Sequence, residues 1–187
     1  AYTNVSRARE YDTVTLTCEP QEGYRIARIT GVDGLVDNGD NTYTFTMPGR
    51  AVDIQVLFLR ENNPFVDVNE THFFYDSVLW AAEEGITSGI SATEFGPGQA
   101  CNRAQVVTFL WRYAGSPEPT TTVNPFTDVP AGSFCEKAVL WAAETGITSG
   151  ISATEFGPAL TCNRVQVVTF LWRAMGEPET TLTENPF

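Results

Sequence analysis

Thirteen residues of this chain are written twice. GITSGISATEFGP runs from Gly85 to Pro97 and again, unchanged, from Gly146 to Pro158, 61 positions later. The likeness spreads outward at the same offset without a gap. NPFVDV at Asn63 to Val68 returns as NPFTDV at Asn124 to Val129, and VLWAAE at Val78 to Glu83 returns at Val139 to Glu144. CNRAQVVTFLWR at Cys101 to Arg112 returns as CNRVQVVTFLWR at Cys162 to Arg173. A period of this size predicts a stacked array, in which each unit buries its apolar face against a neighbour. The copies span 63–123 and 124–184. NPF recurs once more at 185–187, which reads as the start of a third copy in a longer parent protein.

Each copy reads as two helices around a loop. The first helix of copy two is expected over Phe134 to Thr145, with SFCE at Ser133 to Glu136 as its capping box. Gly85 and Gly146 follow the first helices, where a left-handed cap favours glycine. The shared phrase is then a loop, with Gly89 and Gly150 permitting a tight turn. The second helices start at Asn102 and Asn163, each with a glutamine three residues on to complete a capping box. At 100° per residue, Val107, Leu110 and Ala114 share one face, flanked by Val106 and Trp111. Gln105, Thr108 and Arg112 fall opposite, toward solvent. Arg103, and Arg164 in the other copy, fall at the centre of the apolar face.

Residues 1–60 follow a different rule. TVTLTCE at Thr13 to Glu19 puts Val14, Leu16 and Cys18 on one side. TYTFTMP at Thr42 to Pro48 does the same with Tyr43, Phe45 and Met47, and VDIQVLF at Val52 to Phe58 alternates again. A period of two with turn clusters between, such as DNGDN at Asp37 to Asn41, predicts half-buried antiparallel strands. The fold class is therefore α+β in several domains: a small all-β antiparallel module, β-grasp-like in its expected shape, followed by mainly helical repeats.

The net charge of −12 among 187 residues is spread along the chain, and no basic stripe marks a nucleic-acid footprint. No apolar run is long enough to span a membrane. The four cysteines form no CxxC pair, so neither a zinc site nor a redox motif is expected. DNGDN lacks the EF-hand spacing and reads as a hairpin turn. His72, the single histidine, has no base or nucleophile beside it in the sequence and reads as a surface residue. No catalytic set stands out, and neither enzymatic activity nor a cofactor is expected of these residues. A catalytic domain would belong to the parent protein.

The spaced motifs FVDV, VLWAAEEGITSG, FGP and CNRAQVVTFLWR resemble the S-layer homology (SLH) domain over roughly Asn63 to Pro178. The VTLT, GY (Gly23, Tyr24) and YTFTMP strands resemble a bacterial surface repeat of the divergent internalin B-repeat type. The SLH resemblance implies repeats arranged with pseudo-threefold symmetry, here an incomplete bundle, outside the bacterial cell at the wall. It implies non-covalent anchoring through secondary cell-wall polysaccharide, often pyruvylated, held in grooves between repeats. The β module would be a spacer. The alternative is a protein–protein assembly module of a surface layer or adhesin.

The family's T-R-A-E arginine falls on Arg103 and Arg164, though Asn102, Asn163, Gln105 and Gln166 depart from that pattern. An arginine fork suits the carboxylate of a pyruvylated sugar. The same arginines could instead be structural partners of Asp67 or Asp128, and a guanidinium has donors for both duties. The candidate ligand-binding set is Arg103, Arg164, Asp67, Asp128, Trp80, Trp141, Gly89 and Gly150. Within it a turn role competes for the aspartates, core burial for the tryptophans, and backbone conformation for the glycines. A Cys135–Cys162 disulfide is expected as compatible with an extracellular setting. With two copies of a three-copy array, an uncovered apolar face is expected, and with it self-association, cover borrowed from the β module, or weak wall binding.

Overall fold

The computed structural model describes residues 1–181. The third NPF at 185–187 lies outside the described residues. The chain divides into two compact units: residues 1–79 with 89–97, and residues 80–88 with those from 98 onward.

The first unit is built on antiparallel strands. β1 (Tyr2–Thr3), β2 (Thr13–Thr17), β5 (Thr42–Thr46) and β4 (Val36–Asp37) form one sheet in the order β1-β2-β5-β4. β3 (Tyr24–Thr30) and β6 (Gln55–Arg60) pair as a second sheet, with a register shift between Ile26 and Arg28. The alternation seen in sequence is the burial pattern: Val14, Leu16, Cys18 and Phe45 are buried, while the threonines between them face outward or sit half-exposed. Val14 pairs with Phe45 and Leu16 with Tyr43 across the ladder, as cross-strand pairs on one face should. Residues 1–62 hold two antiparallel sheets and no helix, the all-β antiparallel module expected. The DNGDN stretch closes the β4–β5 hairpin: Asp37 accepts from the Gly39 amide and Asp40 from the Thr42 amide and hydroxyl.

The helices are α1 (Tyr75–Glu83), α2 (Arg103–Tyr113), α3 (Glu136–Glu144) and α4 (Arg164–Ala174). Both asparagine capping boxes form: Asn102 accepts from the Gln105 amide while the Gln105 side chain accepts from Asn102, and Asn163 and Gln166 repeat this. The Ser133 box does not form. α3 starts at Glu136 with Cys135 at its N-cap, the Ser133 amide donates to the Pro130 carbonyl, and the Glu136 carboxylate accepts from the amide of Gly132.

The main core of the second unit joins the two copies. Ala104, Val106 and Val107 of α2 bury against Ala138, Val139 and Ala142 of α3, with Phe126, Ile147, Phe156 and Phe170 closing around them. The second helix of one copy thus packs on the first helix of the next. Thr108, expected in solvent, is buried. Its hydroxyl donates to the Ala104 carbonyl one turn back, so the helix itself satisfies the group.

Candidate functional site

The repeated phrase is organised by the segment that opens each copy. Asn63 accepts from the Phe65 amide and donates to the Val68 carbonyl, folding NPFVDV on itself, and Asn124 does the same for NPFTDV. That hook aims the aspartate at the loop. Asp67 accepts from the amides of Phe95 and Gly96 at 2.9 and 2.8 Å; Asp128 accepts from Phe156 and Gly157 at 2.8 and 2.7 Å. Burial pushes the Asp128 carboxyl up, but these amides, its own backbone and the nearby Arg103 charge outweigh that and hold it below its ordinary value. The aspartates are therefore loop clamps, one of the two roles open to them in sequence.

Gly89 and Gly150 are fixed by the same geometry. Both have positive φ, +74° and +82°. A Cβ on Gly150 would lie 2.6 Å from the Glu155 carbonyl oxygen and 2.7 Å from the Phe126 ring. On Gly89 it would meet the Glu94 carbonyl oxygen and Phe65. The space a side chain would take is filled by the protein, so these glycines serve loop closure.

The two candidate arginines part company. Arg103 is 4 % exposed. Its Nε donates to the Phe156 carbonyl at 3.0 Å, and its guanidinium carbon sits 4.8 Å from the Phe156 ring centroid and 5.2 Å from that of Phe170. Desolvation lowers its pKa, partly offset by Cys162 and Asp128. It forms no ion pair with Asp67 or Asp128, whose carboxylates accept from loop amides. Arg103 is thus a buried tie from α2 to the turn of the next copy, which corrects its placement in an open groove. Arg164, its counterpart in α4, is exposed.

The tryptophans divide in the same way. Trp141 is half-buried against the core, whereas Trp80 is exposed, with Tyr113 edge-on at 6.2 Å. The expected Cys135–Cys162 bridge is not formed: all four cysteines are free thiols. Cys135 is buried with its sulfur 3.7 Å from the Ser133 hydroxyl, and the Cys162 amide donates to the Cys101 carbonyl in a short bridge between copies.

A second pair of arginines enters here. Arg173 Nη1 donates to the Ile147 carbonyl at 3.1 Å, and Arg112 Nη1 donates to Ile86 at the same distance. The helical wheel places Arg112 toward solvent. Instead both arginines brace the start of the repeated loop. Arg173 lines a cleft of about 440 Å³ with Phe126, Gly146, Thr148, Ser149 and Glu177. The signal was present in the letters: in an acidic chain, a positive charge recurs at 112 and 173 as faithfully as at 103 and 164.

Residues 64–107 and 125–167 match the S-layer homology domain, and residues 3–62 match the divergent InlB B-repeat domain. The chain carries two S-layer homology domains behind a divergent InlB B-repeat. These SLH domains are similar to parts of longer proteins. A cell surface protein of Thermoanaerobacter kivui is 27% identical over 117 residues, covering 60% of this chain and 15% of that protein. An endoglucanase of Bacillus sp. (strain KSM-635) is 32% identical over 111 residues, covering 59% of this chain and 12% of the endoglucanase. The matched stretch is thus a small part of either relative.

Proposed function

We propose that this chain is a non-covalent anchor that holds a bacterial surface protein to the cell wall by gripping an acidic, pyruvate-bearing wall polysaccharide. The observation that carries this reading is the cleft at the second SLH loop. Arg173 spends one nitrogen on the Ile147 carbonyl and keeps further donors in the plane of its fork. Such a fork matches a carboxylate in two parallel bonds. Ser149 and Glu177, also at the cleft, offer the hydroxyl and acceptor that sugar hydroxyls require. Asp128 and Gly150 act indirectly, by setting the loop. Arg164, exposed on α4, is a second point of contact for an anionic polymer. The β module is a spacer, the two SLH units 63–123 and 124–184 are the gripping part, and any cargo or catalysis lies in the longer parent.

The test is retention of the chain on purified wall sacculi, before and after hydrofluoric acid removes the secondary polymer. A titration of the released acidic glycan follows, against the native chain, Arg173→Ala and Arg173→Lys. Losing a charge-assisted pair costs about 1.5–3 kcal/mol, roughly ten- to a hundredfold in affinity. Lysine restores charge but not the fork, so it should recover little. Retention that survives stripping, or equal affinity in Arg173→Ala with intact tryptophan fluorescence, would refute the reading.

A further inference from the structure

The two SLH domains meet at a pair of equivalent cysteines. Cys101 and Cys162 hold the same place in the two copies, directly before the asparagine that caps each second helix. Asn102 and Thr161 form a short antiparallel bridge. It is held by the Arg103 amide, which donates to the Leu160 carbonyl, and the Cys162 amide, which donates to the Cys101 carbonyl, both at 2.9 Å. One residue along from that bridge, Cys101 stands opposite Cys162. Both cysteines belong to the second compact unit.

Opposed residues of an antiparallel pair turn their side chains to the same face, with α-carbons about 4.5–5.5 Å apart. A disulfide spans roughly 4.4–6.8 Å between α-carbons, so this pairing suits one without moving the backbone. The two thiols are also within electrostatic reach. Burial pushes the Cys162 thiol up, the Arg103 charge offsets part of this, and Cys101 adds a smaller upward push. Access divides the pair: Cys101 is exposed and Cys162 is buried. The other cysteines are placed worse. Cys135 is buried at the start of α3 with its sulfur beside the Ser133 hydroxyl, and Cys18 belongs to the first unit.

We propose that Cys101 and Cys162 close a disulfide across the junction of the two SLH domains, by exchange with a small-molecule disulfide. The exposed Cys101 thiolate attacks one sulfur of that oxidant, breaks its S–S bond and releases one thiolate, leaving a mixed disulfide. The Cys162 thiolate then attacks the Cys101 sulfur, and the second thiolate leaves. The two cysteine protons end on the two released thiolates; the chain's sulfurs are oxidised and the oxidant's are reduced, by one electron pair. Burial keeps Cys162 from reagents in solution, so the sulfur it meets is the one opposite. A chain with SLH domains works at the cell surface, where disulfides persist. The clasp fixes the start of α2, and with it Arg103, against the turn of the next copy. This inference does not depend on glycan binding.

The experiment incubates the full 187-residue chain in oxidised glutathione, alkylates the remaining thiols and digests with trypsin. Cleavage after lysine and arginine puts Cys101 in peptide 61–103, Cys135 in 113–137 and Cys162 in 138–164, so each pairing has its own mass. The expected product is 61–103 joined to 138–164, from a chain that stays single on a non-reducing gel. Peptide 113–137 joined to 138–164 overturns the proposal, as does 61–103 joined to itself between chains. So does 61–103 that is alkylated or still carries glutathione while 138–164 is alkylated. Stability gives a second readout. Closing a loop of this size should raise the urea midpoint by about 1–2 M, and dithiothreitol should reverse the rise. Cys101→Ser, at an exposed position, should match the reduced native chain and gain nothing on oxidation. A rise that persists in Cys101→Ser also overturns the proposal.

Discussion

Replacing Arg103 by alanine should destabilise the helical unit by about 3 kcal/mol, whereas replacing Arg164 should change it by no more than about 0.5 kcal/mol. The two side chains occupy the same place in nearly identical sequences, so the contrast isolates environment. Arg103 loses its bond to the Phe156 carbonyl at 3.0 Å, about 1.5–3 kcal/mol for a charged donor. It also leaves two ring faces at 4.8 and 5.2 Å, each about 1 kcal/mol once water is gone. Against these stand the desolvation of the guanidinium and an Nη2 that is buried with no hydrogen-bond partner. Those terms remove about 1–3 kcal/mol from the gross gain. The variant adds back a void and an unpaired Phe156 carbonyl. Arg103→Met, which fills much of the volume without burying a charge, should lose less than alanine does. The assay is urea unfolding followed by tryptophan fluorescence, because Trp80, Trp111, Trp141 and Trp172 all belong to the second unit. With a slope of about 2 kcal/mol per molar, Arg103→Ala should move the midpoint by roughly 1.5 M, and Arg164→Ala by under about 0.3 M. Equal midpoints would refute the reasoning. So would an Arg103→Ala protein of native stability that has lost glycan affinity, since that would place the guanidinium in a binding groove.

Gly150→Ala should cost about 3 kcal/mol, because the new methyl adds a clash with the Glu155 carbonyl and the Phe126 ring to an unfavourable positive φ. Gly146→Ala, at φ +76° but with open space around the added carbon, should cost only about 1 kcal/mol by the same unfolding measurement. Asp128 has a folded pKa below its unfolded value of about 3.9. Its contribution is therefore complete above that value and is lost as pH falls through the folded pKa. Urea midpoints measured from pH 6 to pH 2.5 should show this fall, and Asp128→Asn should flatten that part of the profile. Thiol titration with an aromatic disulfide should label the exposed Cys101 quickly. Cys18, Cys135 and Cys162 should react only on unfolding, because they are buried and, for Cys18 and Cys162, burial also raises the thiol pKa. Fewer than four thiols in the unfolded, unreduced chain would indicate a bridge.

Periodicity fixed most of what is local. The alternation of Val14, Leu16 and Cys18 is a strand face because a pleated backbone turns every second side chain the same way. The Asn-to-Gln spacing gave both second helices their starts because a capping box needs only residues three apart. The errors fell where a side chain answers to something distant. Ser133 does not cap because α3 starts at Glu136, behind Cys135, and the Glu136 carboxylate accepts from the Gly132 amide. Thr108 went inside because α2 has neighbours on more than one side, which a wheel drawn for one apolar stripe cannot include. Arg112 is set outside by the wheel for the same reason, although its long stem carries the guanidinium back to a loop carbonyl, as that of Arg173 does in the other copy.

That division explains how one sequence phrase can serve two ends. Everything a single SLH copy needs to shape its loop lies within the copy: the asparagine hook, the aspartate clamp and the glycine that lets the phenylalanine ring close in. Those features are the same in both copies because their causes are local. Burial of the second helix has another cause, the arrival of the next copy, and it differs accordingly. Arg103 is a buried tie because Phe156 and Phe170 cover it, while Arg164 is exposed. A residue's role in such an array is therefore set by its sequence together with its position in the row. Motif identity alone cannot separate a junction arginine from a binding arginine. A substitution placed one period away from a known binding position should be expected to disturb the fold, unless the same neighbour is missing there too.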